Sequence, residues 1–203
     1  MVDDDVRHPI IVDTDALIAV ANTGLWSRIT DNIQLTTTNV CQHELKRHVR
    51  GLSEYARDGT RERWVHDGSK RALEAFGDEN KSFTTVSCVP RPHGEDAGEK
   101  SVKTEIEQNT ERYRFAILMD AHGRRSINRV FSDAETTTGR AVAPTFLLYL
   151  LLDEGECTVA EFCQACGEML RGEGWTGYQA VQAAWEAIPV DCDKFLSDNI
   201  LPD

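Results

Sequence analysis

Ile10-Ile11-Val12-Asp13-Thr14-Asp15-Ala16-Leu17-Ile18 is the stretch that decides the fold. A short β-branched run, the kind of segment that fits a pleated and buried surface, ends in two carboxylates two residues apart. An apolar, helix-like segment follows at once. A buried strand has little reason to finish in paired acids, because their repulsion has to be relieved by metal, hydrogen bonding or solvent. In open α/β sheets the carboxyl end of a strand is also where ligands sit. Asp13 therefore heads the candidate site residues, with Asp15 beside it.

Working outward, the opening strand at about 9–13 leads into a helix over 15–23 that stops near Gly24. Ile33-Gln34-Leu35-Thr36-Thr37 reads as a second strand, and Asn39 as the N-cap of a helix carrying Val40, Cys41, Glu44, Leu45 and His48 to about residue 56. A third helix is expected between Arg61 and Phe76, broken or bent near Asp67-Gly68. Phe83 to Val89 predicts a strand halted by Pro90 and Pro92, and Arg91–Gly98 a loop. A helix over 98–109, a buried strand at Phe115-Ala116-Ile117-Leu118-Met119, a helix through Arg124 and Ile127, and a last strand at Val130-Phe131 complete the alternation. Strands alternating with helices imply a parallel sheet with right-handed crossovers, hence an α/β fold. From residue 143 the pattern is helical only, at about 143–153, 158–171, 176–188 and 192–200. Thr158 and Glu161 have capping-box spacing. The division expected is an α/β domain over 9–142 and a C-terminal helical extension over 143–203 packed on it.

The chain has 203 residues, enough for one substantial core. Its longest apolar run, Phe146–Leu152, is too short to span a bilayer, and the acidic start, Met1-Val2-Asp3-Asp4-Asp5, is unlike a secretion signal. No membrane partner and a cytoplasmic location are expected. Thirty-four acids against 22 bases give a formal charge of −12, and arginine dominates the bases. Such acid excess is what a salt-adapted, halophilic protein carries. At ~1 M salt the Debye length is only ~3 Å, so net charge does not exclude a nucleic-acid substrate. It does require that contact depend on local bases and metal ions.

Four acids fall at equivalent places in this layout. Asp13 ends the first strand, Glu44 lies early in the helix after the second, Glu99 opens the helix after the proline loop, and Asp120 ends the later buried strand. In a parallel sheet these points converge on the carboxyl edge. Carboxylates gathered there suit hard divalent cations, Mg²⁺ or Mn²⁺, which take oxygen ligands, and such a centre suits phosphodiester hydrolysis. Glu95 and Asp96 share the acidic loop with Glu99, so Asp96 is a second candidate for the third position. Arg47 near Glu44 and Arg124 near Asp120 are candidate phosphate contacts.

These stretches resemble the PIN-domain family of metal-dependent nucleases. The resemblance rests on Ile11–Ile18, Thr36–Leu45, Asp96-Ala97-Gly98-Glu99 and Ile117–Arg124, with Ala141–Leu148 similar to the stretch before a terminal helix in one subgroup, and it covers about residues 9–170. It implies a three-layer α/β/α sandwich and a Mg²⁺- or Mn²⁺-dependent ribonuclease acting on RNA. Asp13, Glu44, Glu99 and Asp120 would be the metal-binding acids, Asp15 an assistant, and Thr14 and Thr38 supporting groups. The family also contains toxins held by antitoxin proteins, and homodimers are common in it.

One departure motivates an alternative. Where the family usually has Thr or Ser two residues before the fourth acid, this chain has Leu118, which suits a catalytically weak or inactive module binding RNA or a protein partner. Other motifs have plainer readings than chemistry. His43 and His48 are five apart, not the four a zinc helix requires. Cys163 and Cys166 share one helix face without a second ligand pair. Tyr178, Val181 and Trp185 make an amphipathic stripe.

Overall fold

The computed structural model describes residues 9–52, 60–78, 83–94, 96–134 and 139–170. Its centre is a five-stranded, all-parallel sheet: β1 (Ile10–Val12), β2 (Leu35–Thr38), β3 (Phe83–Val86), β4 (Phe115–Ile117) and β5 (Arg140–Val142), in the order β3-β2-β1-β4-β5. Ile11 of β1 pairs with Thr36 on one side and with Ala116 on the other. The chain winds outward from β1 to β3, then returns across the sheet to place β4 on β1's free side. That reversal makes the β1/β4 boundary the topological switch point, the crevice where α/β sheets bind ligands.

Helices cover both faces: α1 (Thr14–Ala21), α2 (Trp26–Asn32), α3 (Asn39–Leu52), α4 (Arg61–Phe76), α5 (Ala97–Gln108), α6 (Ala121–Asp133), α7 (Thr145–Asp153) and α8 (Val159–Leu170). Strand alternation divides the core. Ile10 and Val12 join Leu35, Ile117 and Val142 in a cluster with Leu17, Ile29, Val65, Leu147 and Phe162. Ile11 points the other way, among Val102, Ile106, Tyr113, Ile127 and Phe131. The expected three-layer α/β/α sandwich is therefore present. α7 and α8 pack into the first cluster through Leu147, Leu148, Phe162 and Cys166, so they share the sheet's own core. The capping box at α8 is formed: Glu161 accepts from Thr158 N at 2.8 Å, and Thr158 Oγ1 accepts from Glu161 N at 3.3 Å. The helices expected at 176–188 and 192–200 lie outside the described residues, as does the Tyr178–Trp185 stripe.

Four local readings change. α4 runs unbroken through Asp67 and Gly68. Gly68 is there because α1 crosses closely: a Cβ would lie 2.6 Å from Ile18 O and run into Asn22 Nδ2. An additional helix, α2, follows Gly24, burying Trp26 and Ile29 on its inner side. Val130 and Phe131 belong to α6, and the last strand is instead Arg140–Val142. The cap of α3 is Thr38, whose Oγ1 accepts from Cys41 N at 3.2 Å, while Asn39 Oδ1 accepts from Cys88 N across to the β3–α5 loop. Among the described residues no helix is long and apolar enough to cross a membrane, and Cys41, Cys88, Cys157, Cys163 and Cys166 are free thiols.

Candidate metal centre

At the carboxyl edge of the sheet lies a cleft of about 580 Å³ lined by Asp13, Asp15, Glu44, Asp96, Glu99 and Asp120, all six acids singled out by the sequence. Arg47, His48 and His122 share its walls. Asp13 and Asp120 are delivered by the turns that follow β1 and β4, and Glu44 and Glu99 by the helices α3 and α5. Asp13 follows β1, and its Oδ1 accepts from Ala16 N at 2.7 Å, capping α1. Its backbone N donates to Ile117 O at 3.1 Å, which ties the corner to β4. Asp120 caps α6 in the same way, accepting from Gly123 N at 2.6 Å.

Glu44 and Glu99 are seated by close approach. Glu44 accepts from Thr14 Oγ1 through one oxygen and from Gly98 N at 3.0 Å through the other. A Cβ on Gly98 would collide with Glu44 Oε2 and stand 2.8 Å from Thr14 Oγ1. A Cβ on Gly123 would stand 2.6 Å from the Glu99 carboxyl carbon. Both glycines occur in first helical turns because a carboxylate of a neighbouring helix occupies the space a side chain would take. Asp96, the other candidate for the third acid, is exposed at the start of α5 and holds φ +56°, a left-handed conformation that Asp tolerates better than most residues. Glu99 is the one packed between α5 and α6.

Like charge and burial dominate the electrostatics. Asp13 is only 5% exposed. Burial drives its carboxyl well above the ordinary range; Asp15 pushes in the same direction, the Ala16 N–H opposes, and Glu99 and Glu44 raise it further. Asp15 is pushed up to about 7, by burial and then Glu44, against the pull of Arg61. Glu99 is raised by burial, Asp120 and Asp96. His48 is lowered by burial, with Glu44 opposing. A set of oxygen donors that repel one another is the donor chemistry a hard divalent cation would satisfy, so the residues fit Mg²⁺ or Mn²⁺. Among the described residues, no three His, Cys, Asp or Glu side chains are already drawn together to hold an ion. Asp13, Asp120 and Glu44 are instead turned to their own N–H and hydroxyl donors.

The two arginines separate. Arg47 lies on the cleft wall, where a phosphate contact was expected. Arg124 does not line the cleft. It is 7% exposed and donates from Nη1 to the carbonyls of Leu118 and Met119, at 2.9 and 2.5 Å. Burial lowers its pKa, and the carboxylates of Asp120 and Asp13 counteract that. A side chain so engaged supports the corner beneath the site and is not placed to meet a substrate phosphate. His122 and the two glycines were not singled out by the sequence. The only signal for the glycines was their position within one or three residues of an acid.

Among protein families, the chain matches the one described as Halobacterial PIN domain over residues 1–202. No curated protein and no solved structure matches it.

Proposed function

The chain belongs to the PIN-domain family, and from that premise we propose that it is a Mg²⁺- or Mn²⁺-dependent endoribonuclease. The family has a nuclease-like fold and is generally dependent on divalent metal. The observation that carries the reading is the six-acid cleft at the switch point, with Asp13 buried among like charges.

Asp13, Glu44, Glu99 and Asp120 would hold the ion, with Asp15 and Asp96 as further oxygen donors. A bound divalent ion supplies a nucleophilic water near neutral pH and neutralises charge on the phosphate. The protein's own groups do the rest. Thr14 and Gly98 N fix Glu44. Arg47, on the same wall, offers a cation to the RNA backbone, and His48 and His122 offer ring-nitrogen hydrogen-bond partners beside it. In an acidic chain these few bases are the places where an RNA strand would be held, and high salt would screen the remaining repulsion.

RNA cleavage with Mg²⁺ or Mn²⁺ at about 1 M salt tests the reading. Asp13→Asn and Glu99→Gln are each expected to lower the rate more than about 100-fold while keeping the fold, since even groups that only support metal ligands change activity by ~10–100-fold. Undiminished cleavage by both variants would sink it. A second reading, a non-catalytic module binding RNA or protein, is favoured by the acids not being drawn together and by Leu118, which is fully buried and offers no hydroxyl. RNA binding without cleavage, and without Mn²⁺ uptake at millimolar concentration, would establish it. A toxin role would further require an antitoxin partner, seen as relief of growth arrest on co-expression.

A further inference from the structure

Arg124 is a buried cation with an unusual assignment. It is nine-tenths buried, yet the partners of its guanidinium are two main-chain carbonyls, those of Leu118 and Met119. These are the two residues between the end of β4 and Asp120. Arg124 N also donates to Asp120 O at 3.1 Å, and Leu118 N donates to Val142 O at 3.1 Å. The corner is thus closed on itself. The chain leaves β4, is held to β5 at Leu118, turns at Asp120, and returns within one helical turn to the arginine that grips the two carbonyls it has just passed. Arg125 and Arg129, on the same helix, are exposed instead.

Guanidinium geometry explains the choice. Arg is planar, permanently charged and weakly hydrated, so it tolerates burial against carbonyl oxygens better than the compact, strongly hydrated ammonium of Lys. Its charge also stands near Asp120 and Asp13, on the protein side of the cleft and out of reach of a substrate. We propose that Arg124 is a positioning residue: its grip on the Leu118 and Met119 carbonyls sets where the Asp120 carboxylate stands relative to Asp13, and so sets the affinity of the acid cleft for a divalent cation. This rests on the metal-dependent reading above.

The test uses the full chain with Arg124→Gln, Arg124→Lys and, as a surface control, Arg125→Gln. Mn²⁺ binding is measured by titration, folding by thermal unfolding in chelator, and RNA cleavage by separate kcat and KM. For Arg124→Gln a cooperatively folded protein is expected, with Mn²⁺ affinity weakened about tenfold or more, kcat reduced, and KM for RNA nearly unchanged. Arg124→Lys keeps the charge without the fork and is expected to fall between it and wild type. Arg125→Gln is expected to match wild type. Wild-type Mn²⁺ affinity in a folded Arg124→Gln protein would overturn the proposal. So would a rise in KM alone, which is the signature of a substrate contact. If Arg124→Gln does not fold, wild-type Mn²⁺ affinity in Arg124→Lys would overturn it equally. Failure of the wild-type chain itself to bind Mn²⁺ or cleave RNA would instead remove the reading on which the proposal rests.

Discussion

The β1–Asp13–α1 corner and the β4–Asp120–α6 corner are built alike on adjacent parallel strands, and they behave differently. In both, an acid follows a short apolar strand and caps the next helix through the N–H three residues on, at 2.7 and 2.6 Å. At the first corner α1 is apolar, with every residue but Asp15 buried, and Asp13 is sealed under it. At the second, α6 is amphipathic, Asp120 is exposed, and a buried arginine stands beneath. A helix cap contributes about 1 kcal/mol, whereas an unpaired buried charge costs several kcal/mol. Capping therefore accounts for Asp120 by itself but not for Asp13. The excess cost at Asp13, offset by the rest of the fold, is what the proposed metal-binding role would account for.

The largest effect should come from neutralising each acid without losing its cap. Asn caps as well as Asp, so Asp13→Asn keeps the hydrogen bond and removes buried like charge. In chelator its melting temperature is expected to rise by about 3–6 °C, at roughly 2–4 °C per kcal/mol for a chain of this size, even as cleavage is lost. Asp120→Asn, at an exposed site, should change stability by less than about 0.5 kcal/mol. Equal shifts in the two variants, read by calorimetry, would break the comparison.

A second contrast lies at the cap donors themselves. Ala16 and Gly123 occupy the same position in the two corners, but only Gly123 has a carboxylate, Glu99, where a Cβ would go. Gly123→Ala should cost about 1–3 kcal/mol through overpacking and also weaken Mn²⁺ binding by displacing Glu99. Ala16→Gly should cost about 1 kcal/mol through helix propensity and leave Mn²⁺ affinity near wild type. Unaltered Mn²⁺ affinity in Gly123→Ala would place Glu99 outside the metal centre.

The pH effect is smaller and has a definite sign. Asp15 titrates at 3.8 unfolded and about 7 folded, so the folded chain holds more protons between those values. Its contribution to stability is then fully present below pH 3.8, declines as pH rises, and is lost above about 7. Denaturant titrations in chelator should show this fall, less steep in Asp15→Asn and reduced by saturating Mn²⁺, which stabilises the ionised folded form. A metal-free chain whose stability rises over that window would contradict the cause assigned to Asp15.

Much of this layout was legible in the sequence, and the exceptions share a physical origin. Ile10–Val12 and Phe115–Ile117 announced themselves because β-branched or apolar runs ending in an acid have few other uses. β5 was hidden because Arg140-Ala141-Val142 is neither a β-branched run nor followed by an acid, and α2 because Gly24 reads as a terminus until Trp26 and Ile29 are seen buried. Gly68 looked like a breaker, yet serves a helix crossing that only the tertiary structure supplies. The six candidate acids line one cleft, a convergence that could be read from their places at strand ends and in the helices that follow. Arg124's role was not, because spacing places a residue on a helix but does not say whether its side chain turns outward to a substrate or inward to a carbonyl.

The most direct test of the central claim, that the two corners and their neighbours form one divalent-cation site, is anomalous diffraction from crystals soaked in Mn²⁺. The account predicts a peak in the cleft between the corners, coordinated by Asp13 together with at least one of Glu44, Glu99 and Asp120. A well-soaked crystal with no peak there, or with its ion bound only at surface acids away from Asp13, would contradict it.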